Sequence, residues 1–211
     1  MLRIITTITL LCSLSFALSV NAKQIAESAN DIRPLLNGQQ IPSVMVTTIE
    51  NRKVDLLSIV KDKKTILFFY RGGWCPFCNA QMGQLKAIED ELKILGFQLI
   101  GISTDSSEDL KESIKNKELN YQLLSDYHSV VSEKFGLAFF ASQQVTNRYL
   151  ASIQLTNPLQ KNEAGESRLV LPAPAIYVVD DQGLVQFSYV NVNYKVRLSE
   201  KLLLLAAKLV K

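Results

Sequence analysis

Two cysteines separated by two residues, Cys75 and Cys78, are the residues of this 211-residue chain best suited to chemistry. They follow an apolar run of strand length and precede a helical pattern, so both sulfurs should lie at a strand-to-helix turn. Thiols at this spacing can close a small disulfide and reopen it by exchange with another thiol. A helix N-terminus stabilises a thiolate through its dipole and its unpaired N–H groups. The motif therefore predicts redox chemistry, with Cys75 as the nucleophile and Cys78 as the resolving thiol.

Other uses of such a pair find less support in the sequence. A structural disulfide across two residues closes too small a loop to constrain the unfolded chain. A zinc site needs about two further Cys or His ligands, and the single histidine, His128, is expected in solvent at a helix start. Covalent haem attachment needs a histidine directly after Cys78, where Asn79 stands. A non-catalytic module that binds one soft metal ion through both thiolates stays open as an alternative.

The third cysteine, Cys12, lies in a segment with the pattern of a secretory signal. Arg3 precedes an apolar and hydroxyl-rich run over 4–20, and Val20-Asn21-Ala22 offers small residues for cleavage. That run, of about 17 residues, is short for a membrane span. We therefore expect a signal peptide over 1–22, an exported protein (periplasmic if the source is a Gram-negative bacterium) and no stable membrane span after cleavage.

Composition and charge exclude several protein classes. The chain is 47 % hydrophobic and 20 % charged, as is typical of a globular domain that buries a core. A net charge of +3, spread along the chain, is too weak for a nucleic-acid interface. We expect one domain over 41–211, preceded by a polar lead-in over 23–40 that is mobile or loosely helical.

Apolar periodicity predicts alternating strands and helices around the cysteines. The strand patterns cover 64–70, 97–102, 121–124, 175–179 and 184–189. The helix patterns cover 76–95, 106–117, 129–135 and 199–210, and 139–150 is a weaker helical pattern. This alternation predicts an α/β fold with a central mixed, mostly parallel sheet and helices on both faces. The stretch 137–172 is interpreted as an insertion.

The segment Phe68–Asn79, FFYRGGWCPFCN, resembles the active-site segment of peroxiredoxin-like proteins of the alkyl hydroperoxide reductase/thiol-specific antioxidant (AhpC/TSA) family. The similarity covers most of 41–210 and continues through Gly101–Asp105, Leu124–Asp126, Phe135-Gly136, Leu171–Asp180 and Asn193-Tyr194. It implies a thioredoxin-like fold in which the insertion precedes a strand that begins at a cis-proline, Pro174, facing the dithiol. It also implies an antioxidant thiol oxidoreductase that reduces hydroperoxides or protein disulfides. Its reductant would be a thioredoxin-like protein or a low-molecular-weight thiol.

The sequence departs from this family at positions that bear on mechanism. Peroxiredoxins carry a proline and a threonine seven and three residues before the peroxidatic cysteine; if Cys78 takes that cysteine's place, Arg71 and Cys75 stand there. The arginine that such enzymes supply from a later strand would fall near Pro174, where there is none. A disulfide-exchange enzyme without peroxidase activity and a mechanism in which Cys78 attacks first therefore stay open.

Side chains near the motif are expected to form the substrate groove, and Arg71 is expected to lower a thiol pKa. The groove residues are Arg71, Trp74, Pro76, Phe77, Ala173 and Pro174. No cofactor and no metal ion are expected for this chemistry.

Overall fold

The structure, a computed structural model, describes residues 24–210. The predicted signal peptide over 1–22, with Cys12, lies outside these residues. Within 24–210, no helix has the length and apolar character needed to cross a lipid bilayer.

Eleven strands and seven α-helices are described in this part of the chain. The strands are β1 Met45–Thr47, β2 Lys53–Asp55, β3 Lys64–Phe69, β4 Phe97–Ser103, β5 Gln122–Ser125, β6 Ala138–Phe140, β7 Gln160–Lys161, β8 Ser167–Arg168, β9 Val170–Pro172, β10 Ala175–Val179 and β11 Val185–Val190. The helices are α1 Leu56–Val60, α2 Pro76–Ala87, α3 Glu89–Ile94, α4 Ser107–Lys117, α5 Val130–Lys134, α6 Gln143–Ser152 and α7 Glu200–Leu209.

Seven strands form the central sheet in the order β11-β10-β3-β4-β5-β1-β2. Strands β3, β4 and β5 run parallel to one another. A hairpin at each edge, β10–β11 and β1–β2, adds antiparallel pairs. The expected mixed sheet is confirmed, and its parallel pairing is confined to the three central strands because the outer strands belong to hairpins.

Strand β3 is buried on both sides, so its alternate residues enter two separate cores. Ile66 and Phe68 pack with α2 and α7 in the first core, which also contains both cysteines. Leu67 and Phe69 pack with α1 and α5 in the second core. The predicted arrangement of helices on both faces of the sheet is thus confirmed, and the dithiol belongs to the first face.

The helix predicted over 76–95 is divided into α2 and α3. Ile88 leaves helical geometry, with φ −108° and ψ 5°, and its N–H bonds to the Leu85 carbonyl rather than one residue further back. Its side chain is buried in the first core. Gly96, at φ +83°, directly follows α3 and ends it at the position where the pattern over 76–95 stops.

The predicted helix over 139–150 is also corrected at its start. Residues 138–140 form β6, which pairs with β9, and α6 begins only after Ser142, whose hydroxyl accepts from the Val145 N–H. The lead-in contains one short 3-10 helix, Ala29–Asp31, and is tied to this region by backbone hydrogen bonds. Ala26 donates to the Ala138 carbonyl over 2.9 Å, and Leu35 donates to the Phe135 carbonyl over 3.1 Å.

The cis-proline implied by the family resemblance is not present. Residues 24–210 contain no cis peptide bond, so Pro174 follows Ala173 in the trans form. The extended chain here continues from β9 into β10: Ala173 donates to the Leu137 carbonyl, and the Pro174 carbonyl accepts from Asn191.

Candidate active site

A tight corner after β3 brings the cysteines to the first face of the sheet. Gly72 adopts φ +150°, and a Cβ there would lie 2.2 Å from Nε1 of Trp74, so only glycine is accommodated. The Gly73 N–H donates to Oδ2 of Asp105, which follows β4, over 2.8 Å. The corner is therefore fixed to the end of the neighbouring parallel strand.

Cys75 is the N-cap of α2, and Pro76 takes the first helical position, where a missing N–H costs nothing. The Cys75 carbonyl accepts from the backbone N–H of Asn79 over 3.0 Å. The side-chain amide nitrogen of Asn79 donates to the Gly73 carbonyl over 2.8 Å. No side-chain oxygen caps this helix. The Cys75 sulfur is consequently the polarisable group at the positive end of the helix dipole.

The two thiols are free and buried, and their pKa values are shifted in opposite directions. The thiol of Cys78 donates to the Cys75 sulfur, which lowers the pKa of Cys75 to about 6; the Cys78 N–H and the charges of Arg71 and Arg197 act in the same direction, against the effect of burial. The pKa of Cys78 is raised, because this hydrogen bond and burial both hold its proton. Cys75 is thus the thiolate of the pair, with a protonated Cys78 beside it.

Arg71 is buried, with 3 % of its surface exposed, in a cage of three aromatic rings. Its guanidinium carbon lies 5.1 Å from the ring centre of Trp74, 5.2 Å from that of Tyr149 and 4.1 Å from that of Tyr194. Its Nη2 donates to the hydroxyl of Tyr149. The cage holds a full positive charge beside the dithiol by cation–π contacts and one hydrogen bond.

A second cation, Arg197, approaches from the segment before α7. Its Nη2 donates to Sγ of Cys78 over 3.3 Å. Within residues 24–210, neither Arg71 nor Arg197 forms an ion pair with a carboxylate. Their charges therefore act on the sulfurs without being neutralised by an acid.

Asp105 is the buried acid nearest to the corner of the motif. Burial raises its pKa to about 6, against the hydrogen bonds from the Gly73 N–H and the Ser103 hydroxyl. A polar pocket of about 350 Å³ opens next to it and to Trp74. The wall of this pocket also carries Asp109 and Lys117.

Four of the six predicted groove residues lie with the cysteines, and Ala173 does not. Arg71, Trp74, Pro76 and Phe77 surround the dithiol through the corner, the cage and the start of α2. The Ala173 side chain packs into the second core, on the opposite face of the sheet, because side chains alternate along the extended chain.

Pro174 is buried just before β10 and contributes its carbonyl to Asn191. His128 is exposed, as expected from the sequence.

Three residues of the site were not predicted: Tyr149, Tyr194 and Arg197. Tyr149 comes from α6, inside the stretch interpreted as an insertion, and its ring lies 5.0 Å from that of Trp74. The unexplained length of that stretch was the one available signal of a functional role. The other two lie between β11 and α7, where the sequence has no periodicity to place them; the family similarity at Asn193-Tyr194 was the signal available for that segment.

The chain is similar in sequence to a known protein family. The model of the AhpC/TSA family matches residues 37–188. A putative peroxiredoxin bcp of Haemophilus influenzae is 36 % identical over 106 residues, which span 50 % of this chain and 68 % of that protein. The peroxiredoxin Bcp of Escherichia coli strain K12 is 32 % identical over 106 residues, which span 50 % of this chain and 67 % of that protein.

Solved structures show the same fold at low identity. Reduced Prx3 from Vibrio vulnificus matches with a TM-score of 0.65 and 15 % identity, over 82 % of this chain and 99 % of that one. The peroxidoxin BcpB from Mycobacterium tuberculosis matches with a TM-score of 0.61 and 16 % identity, over 83 % of this chain and 97 % of that one. The thioredoxin-like fold is therefore confirmed. The family match and the peroxiredoxin relatives make the protein a thiol oxidoreductase, and the chain belongs to the AhpC/TSA family.

Proposed function

We propose that the protein is a thiol-dependent peroxidase that cycles Cys75 and Cys78 between a dithiol and a disulfide. The observation that carries this proposal is the position of the pair: Cys75 is the N-cap of α2, where the helix dipole favours a thiolate, and Cys78 lies in the first turn of α2, with Arg197 at its sulfur. The same surroundings lower the pKa of Cys75 and raise that of Cys78. A thiolate is the form of cysteine that attacks a peroxide. The peroxiredoxin relatives support a peroxide as the substrate.

The first step is attack of the Cys75 thiolate on the terminal oxygen of a hydroperoxide. An S–O bond forms, the O–O bond breaks, and the departing alkoxide takes a proton to become an alcohol, which leaves Cys75 as a sulfenic acid. The charges of Arg71 and Arg197 stabilise the thiolate before the attack and the negative charge that grows on the departing oxygen.

The second step resolves the sulfenic acid. The sulfur of Cys78 attacks the Cys75 sulfur, the hydroxyl leaves with the Cys78 proton as water, and the disulfide forms. Two external thiols then reduce this disulfide by exchange and are themselves oxidised to a disulfide. The reductant is thus a dithiol protein or two molecules of a small thiol.

Serine variants of each cysteine test the order of attack. The Cys78→Ser variant should consume about one equivalent of hydrogen peroxide and leave a sulfenic acid on Cys75 that dimedone traps, because the resolving thiol is missing. The Cys75→Ser variant should consume none on the same timescale. Peroxide consumption and dimedone labelling confined to the Cys75→Ser variant would assign the attack to Cys78.

A second candidate is thiol–disulfide exchange without peroxidase activity. A CxxC pair at a helix N-terminus supports it, since this arrangement suits attack on a disulfide as well as on a peroxide. Hydroperoxide consumption and insulin reduction, measured on the same preparation with the same thiol donor, separate the two. Insulin reduction with no peroxide turnover would replace the first proposal by the second.

We further propose that the protein is exported after removal of residues 1–22. The apolar run over 4–20 and the small residues before Lys23 support this. Expression of the full chain in a Gram-negative host should give a periplasmic protein whose mass corresponds to a start at Lys23. A cytosolic protein that retains Met1–Ala22 would overturn this proposal.

A further inference from the structure

The dithiol is enclosed in the reduced structure. Cys75 is 1 % exposed and Cys78 is fully buried, although Cys75 has to meet its substrate directly. Residues 191–197, between β11 and α7, contribute side chains to this enclosure; we call them the strap. The access of a substrate to the Cys75 sulfur therefore depends on the contacts that hold the strap against the site.

The strap contacts the dithiol region from two sides. The ring of Tyr194 lies edge-on to that of Phe77, between the two cysteines in sequence, with ring centres 5.8 Å apart. The same ring lies over the guanidinium of Arg71, at 4.1 Å. Arg197, at the other end of the strap, donates to Cys78. Tyr194 thus connects the strap to the residues on either side of Cys75.

Hydrogen bonds within the strap turn the chain back on itself. The backbone N–H of Asn193 donates to Oδ1 of Asn191, and the backbone N–H of Lys195 donates to Oδ1 of Asn193. The backbone N–H of Val196 donates to the Asn193 carbonyl. The strap is tied to the sheet by the bond from the Asn191 N–H to the Pro174 carbonyl. The side-chain contacts of Tyr194 and Arg197 therefore hold the rest of the strap against the site.

The two substrate classes need different amounts of space. Attack on hydrogen peroxide or a small hydroperoxide needs room for a few atoms at the Cys75 sulfur. A mixed disulfide with a protein brings a second backbone to within about 5.5–6 Å, measured between Cα atoms, of Cys75. A backbone that close cannot be accommodated around a residue that is 1 % exposed unless the covering segment moves.

We propose that Tyr194 is a specificity-determining residue: it holds the strap closed over the reduced dithiol, so that this state accepts small peroxides as oxidants and excludes protein disulfides. This inference rests on the proposed peroxidase function for its substrate preference. The enclosure of the thiolate can be measured independently of that function.

The test compares Tyr194→Ala with Tyr194→Phe. The alanine variant loses both ring contacts, whereas phenylalanine keeps a ring over Arg71 and against Phe77 and serves as the matched control. For each protein, the rate of insulin reduction is divided by the rate of hydrogen peroxide consumption. Loss of two aromatic contacts should raise this ratio about tenfold in the alanine variant, while the phenylalanine variant keeps the wild-type ratio.

Alkylation of Cys75 gives a readout that needs no enzymatic activity. The rate with a bulky maleimide is divided by the rate with iodoacetamide, each corrected for the thiolate fraction from the measured Cys75 pKa. This ratio should be at least about tenfold lower in the folded wild-type protein than in the protein unfolded in urea, because only the fold restricts access. Tyr194→Ala should recover most of that loss.

The outcomes separate the two proposals. A wild-type protein that alkylates with no dependence on reagent size overturns the strap inference, even if Tyr194→Ala does not fold. Unchanged rate ratios in a folded Tyr194→Ala variant overturn it as well. A wild-type protein that consumes no hydroperoxide, yet shows the size-dependent alkylation, overturns the peroxidase proposal and leaves the enclosure intact.

Discussion

Arg197 donates from Nη2 to the sulfur of Cys78 over 3.3 Å, although 119 positions separate the two residues in the chain. The contact joins the segment before the last helix to the first turn of α2. It places a cation at the resolving thiol, in addition to the buried Arg71 that precedes the motif. The ionisation of the pair is therefore set by residues from two distant parts of the sequence.

Replacing Arg197 by glutamine should raise the pKa of Cys75, because one of the two positive charges that lower it is removed. The rate of alkylation by iodoacetamide at weakly acidic pH should fall about threefold. Arg52→Gln is the control, since Arg52 is exposed and paired with Glu50. Equal alkylation profiles for Arg197→Gln and the wild type would show that Arg197 does not act on Cys75.

Arg71→Met should raise the pKa of Cys75 as well, since methionine keeps an apolar stem in the cage but carries no charge. Arg71→Lys should return the pKa toward the wild-type value, because the cation is restored without the guanidinium fork. The pH dependence of thiolate absorbance in the ultraviolet measures the Cys75 pKa in both variants. A Cys75 pKa in Arg71→Met that matches the wild type would contradict the electrostatic role.

Gly72→Ala should destabilise the protein more than Gly38→Ala does. Both glycines have positive φ, but a Cβ at Gly72 meets Trp74 and Asp105, whereas a Cβ at Gly38 meets nothing within 4 Å. We expect a loss of about 1 kcal/mol at Gly38 from backbone strain and about 2–4 kcal/mol at Gly72 from strain and overlap. Urea unfolding of the two variants measures the difference. Equal losses would mean that the corner relaxes freely around the new methyl group.

Asp105 should make the protein more stable as the pH is lowered from about 7 to 4. Burial raises the pKa of Asp105 from its ordinary value of 3.8 to about 6, so the folded protein binds this proton more tightly than the unfolded chain. Its contribution is complete below 3.8 and is lost as the pH rises through about 6. The full difference corresponds to about 3 kcal/mol.

Asp105→Asn isolates this contribution. Burial raises the pKa of Asp126 to about 6 too, and the lowered pKa of Cys75 acts in the opposite direction, so the wild-type slope contains all three groups. Unfolding free energies of Asp105→Asn, Asp126→Asn and the wild type, measured across the same pH range, should show a smaller pH dependence in each variant. An Asp105→Asn profile parallel to that of the wild type would rule out a raised pKa at Asp105.

The central elements of the fold could be predicted from the sequence because their signals are local. The run over 64–70 is mostly β-branched, aliphatic and aromatic and forms the buried strand β3, and the pattern over 106–117 forms α4, which begins with a capping box of Ser106 and Asp109. Strands β1 and β2 have three residues each, which is too short for alternation to be recognised. The break at Ile88 was missed because its side chain continues the apolar stripe of α2 while its backbone leaves the helix.

The dithiol itself could be predicted from its spacing, whereas the groups that tune it could not. Arg197 and Tyr194 lie in a segment without periodicity, and only the pairing of β11 with β10 brings that segment back to the motif. Ala173 was assigned to the groove by proximity to Pro174, yet the alternation of the extended chain turns its side chain to the other core. Such placements depend on tertiary structure and leave no local signal.

The N-terminus of α2 links the redox state of the protein to its stability. Oxygens of Asp55, Ser106, Ser142 and Ser199 cap other helices, and none of these groups changes its charge when the dithiol is oxidised. At α2 no side chain makes a cap hydrogen bond; the charged sulfur of Cys75 lies at the positive end of the helix dipole, and formation of the disulfide removes this charge. We therefore expect the reduced protein to unfold at higher denaturant concentration than the oxidised one.

By a thermodynamic cycle, that difference in unfolding free energy corresponds to the difference in reduction potential of the Cys75–Cys78 pair between the folded protein and the unfolded chain. About 1.4 kcal/mol corresponds to about 30 mV. Two denaturation curves, one per redox state, would thus measure how far the fold favours the dithiol over the disulfide.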